Sequence, residues 1–155
     1  MAQHKRTASP RLHNESGMLL IRRGEERDLG GVAAIQSESP EAAKWDVASY
    51  LTLDFRIAER AGRIAGFLVA RTVADAEAEV LNLAVARSDR RQGVARALLE
   101  AFLRDAPGAV FLEVRESNQA ARNLYKSMGF HGVSVRQNYY HNPPEAAIVM
   151  KFHSC

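Results

Sequence analysis

The sequence predicts one mixed α/β domain, and three observations carry that prediction. Apolar runs of strand length, such as residues 109–114, alternate with stretches in which apolar residues recur at helical spacing, such as Val94, Leu98, Leu99 and Phe102. The second half reads strand, loop, helix, strand, helix without a break, the order of an α/β unit. At 155 residues, with 46% hydrophobic and 25% charged side chains, the chain has the size and composition of a single domain with a substantial core.

Residues 1–17 are polar and unpatterned and read as a flexible leader, which leaves 18–155 as the domain. The leader lacks the apolar centre of a secretory signal. Apolar runs fall far short of the roughly 20 residues that span a bilayer, so the expectation is a cytoplasmic protein without a membrane partner. Residues 18–22 form a short strand. Leu29, Val32, Ala33 and Gln36 then keep helical spacing, weakened by Gly30 and Gly31. Ser39-Pro40-Glu41 has the form of a helix start, a capping residue before a proline, and predicts a helix through Trp45 and Tyr50 to Leu53. Strands over 55–59 and 64–72 flank Arg60-Ala61-Gly62-Arg63, a hairpin turn, and 78–85 is the next strand.

Beyond Gly93 the period changes, and a helix begins with Val94 and Ala95. Pro107-Gly108 ends that region. The nearly continuous apolar run at 109–114 is a strand of the kind covered on both faces. Asn118 can cap a helix that carries Ala121, Leu124, Tyr125 and Met128 on one side and stops at Gly129. Strands at 134–140 and 146–152 close the chain.

Charge and cysteine content narrow the function. The formal net charge of +3 reads either as attraction to a polyanion or as a solvated surface with a small imbalance. A single cysteine, Cys155, rules out a disulfide framework within the chain, and the five histidines show no ligand spacing, so no metal is expected. A nucleic-acid module would need arginines interleaved with aromatics, and only Arg90 to Arg96 is a candidate cluster; direct nucleic-acid binding is not expected.

That cluster is better suited to a small phosphate ligand. A strand ending in Leu83-Ala84-Val85 feeds a basic loop and then a helix. A helix start offers unpaired N–H groups and partial positive charge, Gly93 permits close backbone approach, and Arg90, Arg91 and Arg96 add charge. The loop is neither a G-x-x-x-x-G-K-[ST] nor a G-x-G-x-x-G pattern, which disfavours nucleoside triphosphate and dinucleotide ligands.

Arg90-x-x-Gly93-x-Ala95, after Leu81-Asn82-Leu83-Ala84-Val85, resembles the acetyl-CoA motif of the GCN5-related N-acetyltransferase (GNAT) superfamily. Leu112-Glu113-Val114-Arg115-x-Ser117-Asn118 and Leu124-Tyr125-x-x-Met128-Gly129-Phe130 resemble its second cofactor segment. Arg136-x-Asn138-Tyr139-Tyr140 is similar to the branch that acetylates the N-terminal alanine of bacterial ribosomal proteins. The match is dense and ordered from Leu81 to Met150 and loose before it.

The resemblance implies a GNAT fold, a central mixed and mostly antiparallel sheet of about six to seven strands flanked by about four helices. It implies acetyl-CoA as co-substrate and a protein or peptide N-terminus, including that of a ribosomal protein, as acceptor. By position, Leu83, Ala84 and Val85 match the strand along the pantetheine arm. Arg91, Gln92, Gly93, Val94, Ala95 and Arg96 match the pyrophosphate loop, and Asn118 matches a cofactor-contacting asparagine. Glu113 matches the general base and Tyr125 the general acid. Tyr139, with Tyr140 and Trp45, is a candidate wall of the acceptor pocket. The chemistry is consistent: the amine must be neutral to attack, and an α-amino group near 8 loses its proton more readily than a lysine near 10.4. Other readings keep the cofactor and change the acceptor to a small amine, polyamine or lysine, or make the chain a non-catalytic acetyl-CoA sensor.

Overall fold

A computed structural model describes residues 18–40, 42, 45–106, 108–141 and 143–153, so the leader expected over 1–17 lies outside the described residues. The strands are β1 (Leu20–Arg23), β2 (Asp54–Arg60), β3 (Arg63–Ala74), β4 (Glu77–Val85), β5 (Ala109–Arg115), β6 (His131–Tyr140) and β7 (Glu145–His153). The α-helices are α1 (Leu29–Glu38), α2 (Val94–Asp105) and α3 (Gln119–Ser127), accompanied by a six-residue 3-10 helix, Val47–Thr52, and by shorter 3-10 turns at Glu26–Asp28 and Arg87–Asp89. All seven strands join one sheet in the order β1-β2-β3-β4-β5-β7-β6. Every neighbouring pair is antiparallel except β4 and β5, which are linked by the α2 crossover that a parallel pair requires.

Apolar side chains cover both faces of this sheet. On one face Val32 and Ile35 of α1 pack with Tyr50, Phe55, Ile57, Phe67 and Val69. On the other, Val94, Leu98, Leu99 and Phe102 of α2 and Tyr125 of α3 pack with Leu68, Val110, Leu112 and Met150. Strands buried on both sides explain why residues 109–114 carry so little polar alternation.

Local chemistry sets the junctions. Ala61 and Gly62 both take left-handed φ values, 53° and 78°, the two-residue hairpin geometry whose twist suits the flanking strands. The segment after α1 differs from the expected helix over 40–53. Ser39 closes α1 rather than opening a new helix: its hydroxyl donates to the Ile35 carbonyl at 2.7 Å and its N–H to the Gln36 carbonyl at 3.2 Å. The next helical turn starts at Asp46, whose Oδ1 accepts from the Ala48 N–H at 3.2 Å. A serine before proline fits both positions, and the backward bond to α1 decides between them.

The parallel pair is short, and this shapes the site. β4 and β5 are in register only from Glu77 opposite Ala109 to Glu79 opposite Phe111. Just beyond, β4 bulges: Ala70 of β3 faces Val80 and Val69 faces Asn82, which leaves Leu81 as the extra residue. The bulge reverses which face each β4 side chain meets. Ala78 and Val80 pack with α2 and α3, whereas Leu81, Asn82 and Ala84 pack toward α1. A bulge bends its strand, so β4 turns away from β5 and the sheet opens between them.

Candidate active site

The opening is a cleft of about 980 Å³, walled by residues 80–85 of β4 and 112–115 of β5, with the start of α2 at one end. Along 80–85, β4 is hydrogen-bonded to β3 on one side only. Its other edge presents backbone groups to the cleft, a surface suited to an extended amide-bearing chain.

Phosphate chemistry fits the end formed by α2. Gly93 caps the helix with φ 83°, and a Cβ there would meet nothing within 4 Å. Glycine is therefore required by conformation, not by space. With no capping side chain, the N–H groups of the first turn are left for a ligand, and the first bond of the helix runs from Ala97 N–H to the Gly93 carbonyl at 3.0 Å. Arg91, also left-handed at φ 63°, completes the turn.

A buried carboxylate holds this loop in place. Asp89, 1% exposed, takes Arg63 through two hydrogen bonds at 2.6 and 3.0 Å and Arg60 at 3.1 Å. The Arg63 bonds hold its carboxyl below the usual carboxylate range, against the opposing effect of burial. Arg60 also donates to the Gln92 side chain, which in turn donates to the Ser88 carbonyl at 3.2 Å.

Of the residues expected in the site, Leu83, Ala84, Val85, Arg91, Gly93, Val94, Ala95, Arg96, Glu113, Asn118, Tyr125 and Tyr139 all line the cleft, and Gln92 does not. Gln92 departs from the expectation because its carboxamide is committed to Arg60 and Ser88. Arg90 lines the cleft but is tied to the Val85 carbonyl at 3.2 Å and the Ser39 hydroxyl at 3.3 Å, joining β4 to the end of α1. Asn118 caps α3, accepting from the Ala121 N–H at 3.2 Å.

Helix α3 delivers Tyr125. Its C-terminus has Gly129 at φ 103°, with Phe130 N–H on the Tyr125 carbonyl at 3.0 Å and Gly129 N–H on the Lys126 carbonyl at 3.1 Å. This is a Schellman closure, and its usual apolar contact is present as the Tyr125 and Phe130 rings, 5.8 Å apart. Tyr125 is 9% exposed, and burial pushes its hydroxyl up to about 12.

Glu113 stands on β5 between Leu112 and Val114, whose side chains enter the core on the opposite face. It forms an ion pair with Arg136 of β6. Its hydrogen bond is the largest cause of the raised pKa of the Tyr139 hydroxyl. Tyr140, pushed up to about 12 mainly by burial, lies under the Arg115 guanidinium at 4.2 Å and edge-on to Tyr139 at 5.1 Å. Trp45, His141 and Ala42 complete the lining at this end. Arg115 and Arg136 were not assigned roles from sequence; the only signal was their place inside the motifs that hold Glu113 and Tyr139. Among the described residues no group of three or more His, Cys, Asp or Glu is arranged to hold a metal.

An anion site and an open strand edge beside a carboxylate and a buried phenol are the elements of an acyl-transfer centre. The family model described as "Acetyltransferase (GNAT) family" matches residues 21–130. The chain belongs to that family. It is therefore an N-acetyltransferase of the GNAT type, a family whose donor is acetyl-CoA. It is 39% identical over 104 residues to the ribosomal protein bS18-alanine N-acetyltransferase of Escherichia coli K12, covering 63% of this chain and 69% of that protein. The crystal structure of the ribosomal-protein-S18-alanine N-acetyltransferase from Escherichia coli superposes with a TM-score of 0.77 at 32% identity, over 88% of this chain and 94% of that one. Ard1 from Thermoplasma volcanium gives 0.80 at 31% identity, over 88% and 98%. The GNAT family and its fold were thus both expected from the ordered motifs.

Proposed function

We propose that this acetyltransferase transfers acetyl from acetyl-CoA to the N-terminal amine of a protein, with a ribosomal protein beginning with alanine as the natural acceptor. The observation that supports the reading is that Glu113, Tyr125 and the Gly93 turn all line one cleft. Support for the acceptor comes from the similarity to the bS18-alanine enzyme. In this reading, residues 83–85 present backbone groups to the pantetheine arm, and the 91–96 turn takes the pyrophosphate, Gln92 through its backbone alone.

The steps then balance. The acceptor ammonium gives a proton to Glu113, directly or through a water. The neutral amine attacks the thioester carbon, a C–N bond forms and the C–S bond breaks, and the nitrogen releases its second proton to solvent, from which Tyr125 regains the proton that it gives to sulfur. The electron pair leaves on sulfur, where Tyr125 acts as the acid. Tyr139, Tyr140 and Trp45 wall the acceptor end, with no metal required. An N-terminal α-amine near 8 asks less of Glu113 than a lysine near 10.4. The difference is about 3 kcal/mol at 1.36 kcal/mol per unit.

The test is incubation with labelled acetyl-CoA and two peptide sets, one with free N-termini and one N-blocked with internal lysines, read by mass spectrometry. Acetylation confined to free N-termini is expected, with alanine-starting peptides preferred. Preference for the blocked lysine peptides, or for free polyamines, would reject the N-terminal reading.

A further inference from the structure

Arg136 has no part in the steps above, yet it touches both the base and the acceptor wall. Its position follows from an irregularity in the sheet. In β6, Arg136 faces Ala147 and Tyr140 faces Glu145, so residues 137–139 lie opposite Ala146 alone. Asn138 takes up the surplus with a left-handed φ of 54°. The bulge breaks the strand's alternation, and the consecutive residues Tyr139 and Tyr140 both line the cleft.

Arg136 sits at the foot of that bulge. Its guanidinium reaches across β7 to the Glu113 carboxylate on β5. The same group lies 4.4 Å from the centroid of the Tyr139 ring. A guanidinium is planar, always charged and able to stack on a ring while donating from its edge, so one side chain serves both contacts. The exposures separate this pair from an ordinary surface ion pair. Arg136 is 55% exposed, but the Glu113 side chain is only 16% exposed and points into the cleft where the chemistry is assigned. A mostly desolvated carboxylate on a strand is aimed by whatever it binds, and here that partner also holds the ring beside it.

We propose that Arg136 is a positioning residue: by holding Glu113 through Oε2 and lying against Tyr139, it locks the base and the acceptor wall into one unit. This rests on the assignment of Glu113 as base. Arg136 reaches the chemistry mainly by aiming Glu113, so most of its effect is lost once Glu113 is replaced, and only the smaller contribution of the Tyr139 contact remains.

A double-mutant cycle on the full chain tests this, using Arg136→Gln, Glu113→Gln, the double variant and Arg136→Lys. Each is measured for kcat/KM toward an alanine-starting peptide, acetyl-CoA affinity by calorimetry and Tm. Arg136→Gln is expected to lower kcat/KM by about 10-fold or more, the scale of coupling between contacting residues. Acetyl-CoA affinity should stay within about twofold, because the phosphate end is untouched. The double variant should be within about threefold of Glu113→Gln, far short of the product of the two single losses. Arg136→Lys keeps the charge but loses the planar fork, and should recover only part of the rate. If the glutamine variant does not fold, the lysine variant carries the test: reduced kcat/KM at unchanged Tm supports positioning. Wild-type kcat/KM in both Arg136 variants, or losses that multiply in the double variant, overturn the proposal while leaving Glu113 as base. Full turnover by Glu113→Gln overturns the acid–base assignment itself, and this proposal with it.

Discussion

Replacing Tyr125 by phenylalanine removes a single hydroxyl from the cleft and keeps the ring that packs on Phe130. Burial places that phenol at about 12, with a smaller push from Tyr140, so it stays protonated across the whole working range. An ordinary thiol near 8.5 is the reference for the departing thiolate, about 3.5 units lower. At 1.36 kcal/mol per unit, outright proton transfer ahead of C–S cleavage runs uphill by about 5 kcal/mol. The proposed acid therefore works as a hydrogen-bond donor to sulfur as charge develops, with transfer completed in step with bond cleavage. A hydrogen bond to a charged partner contributes about 1.5–3 kcal/mol. Its loss corresponds to a fall in kcat of about 10- to 150-fold. The assay is steady-state kcat from pH 6 to 10, following thiol release. The two log kcat curves are expected to run parallel, because a group at about 12 remains in its active, protonated form over that interval. Equal rates would remove Tyr125 from the mechanism. A basic limb below pH 10 that vanishes in the phenylalanine variant would refute the elevated pKa.

Four further substitutions address the rest of the site. Glu113→Gln should lower turnover by about 10²–10⁴-fold with acetyl-CoA affinity retained, and unchanged turnover would exclude it as base. Gly93→Ala meets open space but must hold φ 83°, so the cost is conformational, about 1–2 kcal/mol and visible as a lower Tm. Gly93→Asp adds a negative charge and should weaken acetyl-CoA binding by an order of magnitude or more in calorimetry; equal affinity would reject the phosphate site. Asp89 has a lowered pKa in the fold, so its stabilisation is complete above its unfolded value near 3.9 and is lost as pH falls through the folded one. Asp89→Asn should therefore flatten the acid side of the Tm–pH curve. It should also cost about 3–5 kcal/mol at neutral pH by leaving Arg60 buried without its carboxylate, and an unchanged Tm at pH 7 would contradict this.

The turn, cap and helix end that line the proposed donor half were legible in the sequence because each is local. A left-handed glycine before a helix, an asparagine three residues before the N–H it caps, and a glycine that closes α3 each act over one turn of chain. The order of strands and helices from 93 onward followed from the same short-range signals. The segment after α1 did not, because Ser39-Pro40 is compatible with ending one helix or starting another; the backward bond to Ile35 closes α1, and Arg90 then holds the Ser39 hydroxyl. The direction of the Gln92 side chain was not legible for a related reason. Its side chain is claimed by Arg60, 32 residues earlier, and no local spacing reports such a pairing.

The proposed acceptor half depends on two irregularities that hydrophobic periodicity does not expose. An extra residue at Leu81 turns β4 from β5 and opens the cleft, while the surplus at 137–139 in β6 directs two tyrosines into it. Each bulge is fixed from outside its own strand. Near Leu81, the Asn82 amide is bound to Gln36 and Tyr50 at 3.1 Å each, and Gln36 also holds the Trp45 carbonyl at 2.7 Å. Beside 137–139, Arg136 is bound to Glu113 and Tyr139. A regular sheet with the same residues would keep β4 beside β5 and send Tyr139 and Tyr140 to opposite faces. On the proposed reading, the Gly93 turn sets what is carried, and the polar anchors of the two bulges set the shape that an acceptor must fit. Changes in acceptor preference within this fold should accordingly track Gln36, Asn82 and Arg136 as much as the residues that touch the peptide.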